Sequence, residues 1–308
     1  MIDLHCDTMM QLLDHPQSGD LYENVWKIDI KKLWAGHSKV QDFALYIDLG
    51  ETEYPYERYQ AMRQVFEKNV LTYGEHIRHI QSVQDLDACY ADGKLGALLS
   101  VEEGGVFEGS LERLDKAYEE GVRLITISWN YPNGLCEPHC GDPNKGLTEL
   151  GRAFVQRMEE LGIIVDCSHL NDEGIAQLDQ LMTKPFIASH SNARALTPHS
   201  RNLTDQQIRM IARKGGVIGL NFANHFLGDS PISRIDDIVR HGLYIHKVGG
   251  ADVVALGTDF DGIDPQTEIQ DIGHMDRLRD AFLKAGMTQG DLDKLFWKNA
   301  DRLLREII

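Results

Sequence analysis

Short apolar segments alternate with longer amphipathic segments along the whole of the 308-residue chain. The apolar segments are rich in Val, Ile and Leu, and several follow a glycine, which is typical of parallel strands that are buried on both faces. We therefore predict strands at Ile2–His5, Val40–Ile47, Leu95–Val101, Arg123–Ser128, Ile163–Cys167, Phe186–Ser189, Val217–Asn221 and Val253–Gly257.

The segments between these strands carry apolar residues at intervals of three and four, as on one face of a helix. Ser110, Asn171 and Thr204 stand where an N-cap is expected, and Gln207 follows Thr204 at the spacing of a capping box. The predicted helices are Tyr56–Tyr73, Ser110–Glu119, Thr148–Leu161, Asn171–Met182, Thr204–Lys214, Ile232–Val248, Met275–Ala285 and Thr288–Arg305.

Strands that alternate with helices from end to end, with no low-complexity linker, predict an α/β fold of the (β/α)8 TIM-barrel type. We expect one domain that spans residues 1–308. The segment Met9–Lys39 is predicted to hold an active-site loop and a helix. A doubly wound open sheet is the competing fold, but no glycine-rich phosphate loop follows the first predicted strand.

Candidate chemistry gathers where the predicted strands end, which is where a barrel of this kind carries its active site. His5 ends the first predicted strand and Asp7 stands two residues further on, so the two side chains share one side of the chain. Together with the polar residues at the ends of four later strands, they are more ligands than one zinc ion binds. Two ions that share a carboxylate would use them all. The later groups are Glu102 with Glu103, His169, His190, and Asp259 with Asp261.

Charge and cysteine content narrow the range of partners. The formal net charge of -17 argues against nucleic-acid and anionic-membrane partners, which need clustered Lys and Arg. The chain shows no long apolar span and no signal-peptide pattern, and its five cysteines suggest a reducing compartment, so we expect a cytoplasmic protein. Cys136, His139 and Cys140 lack the second pair that a zinc site would need. Cys6 and Cys167 are expected to point into the core.

In order and spacing, the strand-end residues resemble those of the membrane dipeptidase (renal dipeptidase) family of zinc hydrolases, within the amidohydrolase-like barrels. The resemblance covers nearly the whole chain. It implies hydrolysis of dipeptides, including those with a D-residue at the C-terminal position, and some family members open β-lactam rings. The motifs that carry it are His5-Cys6-Asp7, Ser100-Val101-Glu102, Asp166-Cys167-Ser168-His169, Ser189-His190-Ser191 and Asp259-Phe260-Asp261-Gly262.

The resemblance implies two zinc ions per chain. The family pattern has a single Glu before Gly-Gly, whereas this chain has Glu102 and Glu103. An ungapped alignment from Val101 to Leu111 selects Glu102, and Glu103 would then face away. The implied ligands are His5 and Asp7 for one ion, His169 and His190 for the other, and Glu102 as the bridge between them.

Two further roles follow from the same resemblance. Asp259 corresponds to the aspartate that handles the proton, a role that its place on the last strand also suits. Arg201 stands where the family places an arginine that grips the terminal carboxylate of the substrate, a task that suits a bidentate guanidinium.

This chain departs from the family pattern at the substrate site. Trp129 stands where the first-described members carry a histidine that helps to polarise the scissile carbonyl, and an indole cannot become cationic. Either zinc alone stabilises the oxyanion, or Asn130 or His139 from the same loop substitutes for the histidine. Phe226 stands where some relatives have a tyrosine, which removes a hydroxyl group from the substrate pocket.

The sequence thus predicts a dinuclear zinc dipeptidase that cleaves dipeptides with a free C-terminal carboxylate, including L-Xaa-D-Xaa, by attack of a metal-bridging hydroxide. The family resemblance also suggests a homodimer. One alternative is a related barrel hydrolase for another amide or a lactone, on which the carboxylate clamp of Arg201 would be wasted. A non-catalytic metal-binding protein is the other, and it would have no reason to keep both ligand sets and Asp259.

Overall fold

Parallel strands form the centre of the computed structural model, which describes residues 1–264 and 266–308. The hydrogen-bonded order is β6-β5-β4-β2-β1-β8-β7, and β3 pairs with β4 beside this path. The strands are β1 (Ile2–Asp3), β2 (Val40–Tyr46), β3 (Ile77–His79), β4 (Leu95–Glu102), β5 (Val122–Thr126), β6 (Ile164–Asp166), β7 (Ile218–Leu220) and β8 (Val254–Leu256).

The segment Phe186–Ser189 joins the two ends of this path and closes it into a ring. Ile187 bridges Asp166 at the end of β6, and Ala188 bridges Ile218 of β7. The predicted sixth strand is therefore present as isolated bridges, and β1, β2, β4, β5, β6, this segment, β7 and β8 form the eight staves of the ring. The predicted (β/α)8 barrel is confirmed, and the open-sheet alternative is excluded.

Helices surround the ring, and each predicted helix is found within about three residues of its predicted ends. Four features differ from the prediction: β3 and the helix Val83–Asp92 are not predicted, the short helix Asn224–Leu227 is not predicted, the segment after β1 holds two helices, and the predicted last helix is divided by a π-helical turn at Lys294–Lys298. The helices are α1 (Thr8–Asp14), α2 (Ile30–Ala35), α3 (Pro55–Thr72), α4 (Val83–Asp92), α5 (Leu111–Glu119), α6 (Glu149–Leu161), α7 (Asp172–Leu181), α8 (Asp205–Arg213), α9 (Asn224–Leu227), α10 (Ile235–Gly249), α11 (Asp276–Lys284), α12 (Gln289–Asp293) and α13 (Asn299–Ile307).

The three expected N-caps are formed. The side chains of Ser110 and Asn171 each accept a hydrogen bond from a backbone amide in the first turn of α5 and α7. Thr204 and Gln207 make both hydrogen bonds of a capping box at the start of α8. In the described part of the chain, no helix has the length and apolar character needed to cross a membrane.

The inner faces of the staves change from apolar to polar toward the carboxyl ends. An apolar floor takes at least one residue from each stave and packs against Leu303 and Leu304 of α13. Because side chains alternate along a strand, the residues two positions further on share the same inner face. The floor residues are Ile2, Leu4, Val40, Leu98, Leu124, Ile164, Ile187, Val217 and Ala255, and the buried polar residues two positions beyond five of them are Asp42, Ser100, Thr126, Asp166 and Ser189.

Two staves carry glycine in this second layer, at Gly219 and Gly257. A Cβ atom at either position would lie 1.8 Å from the carbonyl oxygen of Ser189, far closer than van der Waals contact allows. The two glycines therefore admit the backbone of the sixth stave toward the barrel axis, and this places the next residue, His190, over the polar layer. The third layer, two residues further along the staves, includes Glu102, Asn221 and Asp259.

Candidate metal centre

Glu102, the last residue of β4, lies at the centre of a buried cluster of three imidazoles. Its Oε2 atom is 3.2 Å from His5 Nε2, and its Oε1 atom is 3.0 Å from His169 Nε2 and 3.4 Å from His190 Nε2. His5 follows β1, His169 follows β6 and His190 follows the sixth stave, so the barrel brings together residues that are far apart in sequence. The two carboxylate oxygens thus face different histidines.

Two aspartates complete the cluster on the side of His5. Asp7 Oδ2 lies 3.6 Å and Asp259 Oδ1 lies 3.9 Å from His5 Nε2. The other oxygen of Asp259 accepts a hydrogen bond of 2.8 Å from Asn221 Nδ2. All five residues predicted as metal ligands, and the predicted proton carrier, are therefore gathered at one rim of the barrel.

The backbone is strained at this rim. Left-handed φ angles, which L-residues with side chains seldom adopt, occur at four non-glycine residues here. One of them directly follows β4, one lies three residues after β6, and two lie in the segment that follows β8. These residues are Glu103 (φ 109°), His169 (71°), Asp259 (61°) and Asp261 (72°).

The donor atoms are spaced as ligands of divalent cations are. Both ring nitrogens of His5 and the Oδ1 atom of Asp7 are buried without a hydrogen-bond partner among the described residues. The Nε2 atoms of His169 and His190 face each other at 3.0 Å. Ligands bound tetrahedrally at zinc distances are separated by about 3.3 Å, and the spacings in this cluster are close to that value.

Two sets of three donors lie within 4.8 Å of one another among the described residues: His5, Glu102 and His190, and His5, Asp7 and Asp259. The first set combines His5 and His190, which the family resemblance assigns to different ions. The centroids of these two rings are 3.9 Å apart. The separate contacts of the two Glu102 oxygens agree better with the implied pairing. Burial raises the pKa of Glu102, but the three imidazoles outweigh it and hold that pKa well below its usual range.

Two of the three histidines have a hydrogen-bonded partner behind the ring. His190 Nδ1 lies 2.7 Å from Ser189 Oγ, which donates a hydrogen bond of 2.5 Å to Asp166 Oδ2. His169 Nδ1 lies 2.9 Å from Asn130 Oδ1. A proton on each Nδ1 leaves the Nε2 lone pair free for a cation, which is how proteins commonly orient metal-binding histidines. From the sequence, Asp166 and Ser189 are recognisable only as parts of the family motifs. Their position two residues after an apolar floor residue is the signal that could identify them as partners of the histidines.

Glu103 lies outside the cluster. Its carboxylate accepts hydrogen bonds from the backbone amides of Gly105 and Trp129 and from the side chain of Asn133. Burial raises the pKa of Glu103 to about 7. The two adjacent glutamates therefore have separate surroundings, and only Glu102 contacts the histidines.

A cavity of about 300 Å³ opens beside the cluster and is lined by both Glu102 and Arg201. Arg201 is buried, with 4% of the residue exposed, and its Nε atom has no hydrogen-bond partner among the described residues. Its Nη2 atom donates to the carbonyl oxygen of His190 at 3.2 Å, and its guanidinium carbon lies 5.4 Å from the centroid of the Phe226 ring. A buried cation with a free donor offers a binding site for an anion. Trp129, Asn130 and Phe226 also line the cavity.

Gly262 lies against the carboxylate of Asp7 and leaves no room for a side chain. A methyl group there would overlap Asp7 Oδ2. We expect Gly262→Ala to displace this carboxylate and to weaken zinc binding about 10- to 100-fold, as loss of an orienting contact does at other metal sites. Zinc titration with a competing chelator would measure the change. Gly290→Ala, where a Cβ meets only open space and Thr288 Oγ1 at 3.9 Å, is the matched control and should bind zinc as the wild type does. Equal zinc affinity in both variants would contradict the prediction.

Comparison with known proteins identifies the family. A family model described as membrane dipeptidase (peptidase family M19) matches residues 1–308. An uncharacterized protein in the pqqA 5′ region of Klebsiella pneumoniae is 37% identical over 244 residues, which are 75% of this chain and 89% of that protein. An uncharacterized dipeptidase of Schizosaccharomyces pombe is 31% identical over 252 residues, which are 76% of this chain and 61% of that protein.

Solved structures agree with this result. A metallo-peptidase described as dipeptidase AC has a TM-score of 0.91 at 27% identity and covers 99% of this chain and 98% of its own. A metallo-peptidase from Rhodobacter sphaeroides, liganded with a phosphinate mimic of the dipeptide L-Ala-D-Ala, has a TM-score of 0.91 at 25% identity and covers 100% and 99%. The expected resemblance is thereby confirmed over the whole length of the sequence, and the chain belongs to the membrane dipeptidase family, peptidase family M19, whose members are metallo-dipeptidases.

Proposed function

We propose that the protein is a dinuclear zinc dipeptidase that cleaves dipeptides with a free C-terminal carboxylate, including L-Xaa-D-Xaa. The observation that carries the proposal is that one cavity of about 300 Å³ has the Glu102 cluster on one wall and the buried guanidinium of Arg201 on another. A substrate of dipeptide size could place its carboxylate at Arg201 and its peptide bond at the cluster. The ligand of the Rhodobacter sphaeroides relative belongs to the same substrate class.

Five residues would hold the ions: His5 and Asp7 one, His169 and His190 the other, and Glu102 both. When bound, two such ions lower the pKa of water and polarise a carbonyl group. Glu102 suits a bridging role because its two oxygens contact different histidines. His169 and His190 are each held by a hydrogen bond at Nδ1, which keeps Nε2 directed at the cluster.

Asp259 would carry the proton. Its Oδ2 atom is anchored by Asn221, while its Oδ1 atom faces the cluster and the cavity. Burial and the neighbouring carboxylates raise the pKa of Asp259 well above its usual value, although His5 opposes this. A carboxyl group in such surroundings can accept a proton at Oδ1 from the attacking water and pass it to the leaving amine.

Arg201 would bind the terminal carboxylate of the substrate and so align the peptide bond. Its Nε atom is free to donate, and its remaining contacts run to the backbone and side chain of the loop that follows the sixth stave. A neutral amide or lactone would leave this buried cation without a counter-charge, which costs binding energy. A dipeptide is therefore favoured as the substrate over a neutral amide or a lactone.

A panel of L,L-, L,D- and D,L-dipeptides, each with a free or an amidated C-terminus, tests the proposal. We expect cleavage of free dipeptides, with kcat/KM reduced about 100-fold or more by amidation, because a buried charged hydrogen bond contributes roughly 2–5 kcal/mol. Equal rates on free and amidated substrates would rule out the carboxylate clamp. Cleavage of lactones alone would favour the alternative hydrolase, and a zinc-loaded protein inert on every substrate would favour the non-catalytic alternative.

A further inference from the structure

Asn130 connects the cluster to the loop that bears Arg201. Its Oδ1 atom lies 2.9 Å from His169 Nδ1 and 3.0 Å from His139 Nε2. On the far side of the second ring, His139 Nδ1 lies 2.7 Å from the hydroxyl of Ser200, the residue before Arg201. The backbone amide of His139 also donates to the carbonyl oxygen of His169 at 2.6 Å. The side chain of Asn130 is thus fixed on two sides.

The orientation of the Asn130 amide follows from the role proposed for His169. If the amide NH2 faced the two rings, His169 Nδ1 would have to accept a hydrogen bond and its proton would sit on Nε2, where it would block a metal ion. With Oδ1 toward the rings, both nitrogens donate to one oxygen and His169 Nε2 is free. The NH2 group of Asn130, at Nδ2, then points away from the two rings. It has no hydrogen-bond partner among the described residues, and Asn130 lines the cavity beside Glu102 and His169.

His139 cannot take the place of the missing family histidine. Both of its ring nitrogens are already engaged, one with Asn130 and one with Ser200. It is also not among the residues that line the cavity. Its contacts hold Asn130 in place, so its role is to position that side chain.

We propose that Asn130 Nδ2 donates the hydrogen bond to the scissile carbonyl oxygen that a histidine supplies elsewhere in the family, and that His139 positions Asn130 for this task. The proposal rests on the dipeptidase function proposed above. A neutral amide donor that is held rigidly next to a developing oxyanion stabilises it without having to be charged. Asn130 is therefore the catalytic residue of the pair.

Asn130→Asp keeps the oxygen that His169 and His139 contact and puts a negatively charged acceptor in place of the NH2 donor, so it reverses the interaction with an oxyanion while it retains the contacts to both rings. We expect Asn130→Asp to retain the wild-type zinc content, to lower kcat on L-Ala-D-Ala about 100-fold, and to weaken binding of the phosphinate mimic of that dipeptide by a similar factor. Its affinity for D-alanine, which needs only the carboxylate site, should change less than threefold. Asn130→Ala removes both functions and should also lose about 10- to 100-fold in zinc affinity.

The controls separate the possible outcomes. Asn144→Asp, at an exposed asparagine, should behave as the wild type in every assay. His139→Ala should lower kcat about 10-fold with zinc retained, and His139→Gln, which can still donate to Asn130, should recover most of it. The proposal fails if Asn130→Asp keeps its kcat and its affinity for the mimic, or if Trp129→Phe shows the loss instead. If the wild type neither cleaves dipeptides nor binds the mimic, the proposed function itself is wrong.

Discussion

Glu102→Gln is expected to lose at least one zinc ion per chain and to lower kcat/KM on dipeptides by about 10⁴-fold. An amide can contact two cations only through one oxygen, and its NH2 group would face His5 or His169 at about 3 Å, where a lone pair is needed. Loss of metal-derived charge stabilisation costs several kcal/mol in the transition state, and each 1.4 kcal/mol is about a factor of ten in rate. Metal analysis of the purified protein and steady-state kinetics measure the two effects.

Glu103→Gln, at the neighbouring residue, is the matched control, and it should affect stability and not zinc binding. In the wild type, the carboxylate of Glu103 accepts three hydrogen bonds from N–H groups. A glutamine NH2 in its place would face at least one of these N–H groups. We expect this variant to keep its zinc and to lose about 1–3 kcal/mol in the free energy of unfolding. If Glu103→Gln lost zinc and Glu102→Gln kept it, the choice between the two glutamates would be reversed.

Arg201→Met should lower kcat/KM on free dipeptides by about 10³-fold while leaving the zinc content unchanged. The substitution preserves most of the apolar contact with Phe226 and removes the buried charge, whose loss typically costs roughly 2–5 kcal/mol of binding. The kcat/KM of Arg201→Lys should lie between those of the wild type and Arg201→Met, because an ammonium group keeps the charge but lacks the planar pair of donors.

The substrate comparison decides what Arg201 does. On C-terminally amidated dipeptides, the wild type should lose its advantage over Arg201→Met, since no charged pair can form and the wild type alone leaves a buried cation without a counter-charge. A variant that loses activity equally on free and amidated substrates would show that Arg201 only supports the loop around His190, to whose carbonyl oxygen it donates.

The sequence predicted the barrel and the composition of the cluster because both depend on patterns that repeat locally. Each stave shows an apolar run, and His5, Glu102, His169 and Asp259 each stand at the end of a predicted run or within two residues after it. The placement of Arg201 depended on the family resemblance alone, since a loop arginine carries no local signal of burial.

Other features were out of reach for a physical reason. β3 holds a single buried residue, Ile77, and so shows no alternation. The hydrogen bonds that link Asn130 to His139 and His169 join residues nine and 39 positions apart in loops without regular periodicity. Only the folded chain shows which side chains face one another across such distances.

The approach of the Ser189 carbonyl to Gly219 and Gly257 limits how the protein could be engineered. Replacing glycine by alanine is a routine route to thermostability, because it removes conformational freedom from the unfolded chain. At these two sites the added methyl groups would instead push the mouth of the barrel open and carry His190 outward. A screen for heat-resistant variants should therefore recover substitutions at the exposed helices and spare both glycines, although neither is among the proposed metal ligands.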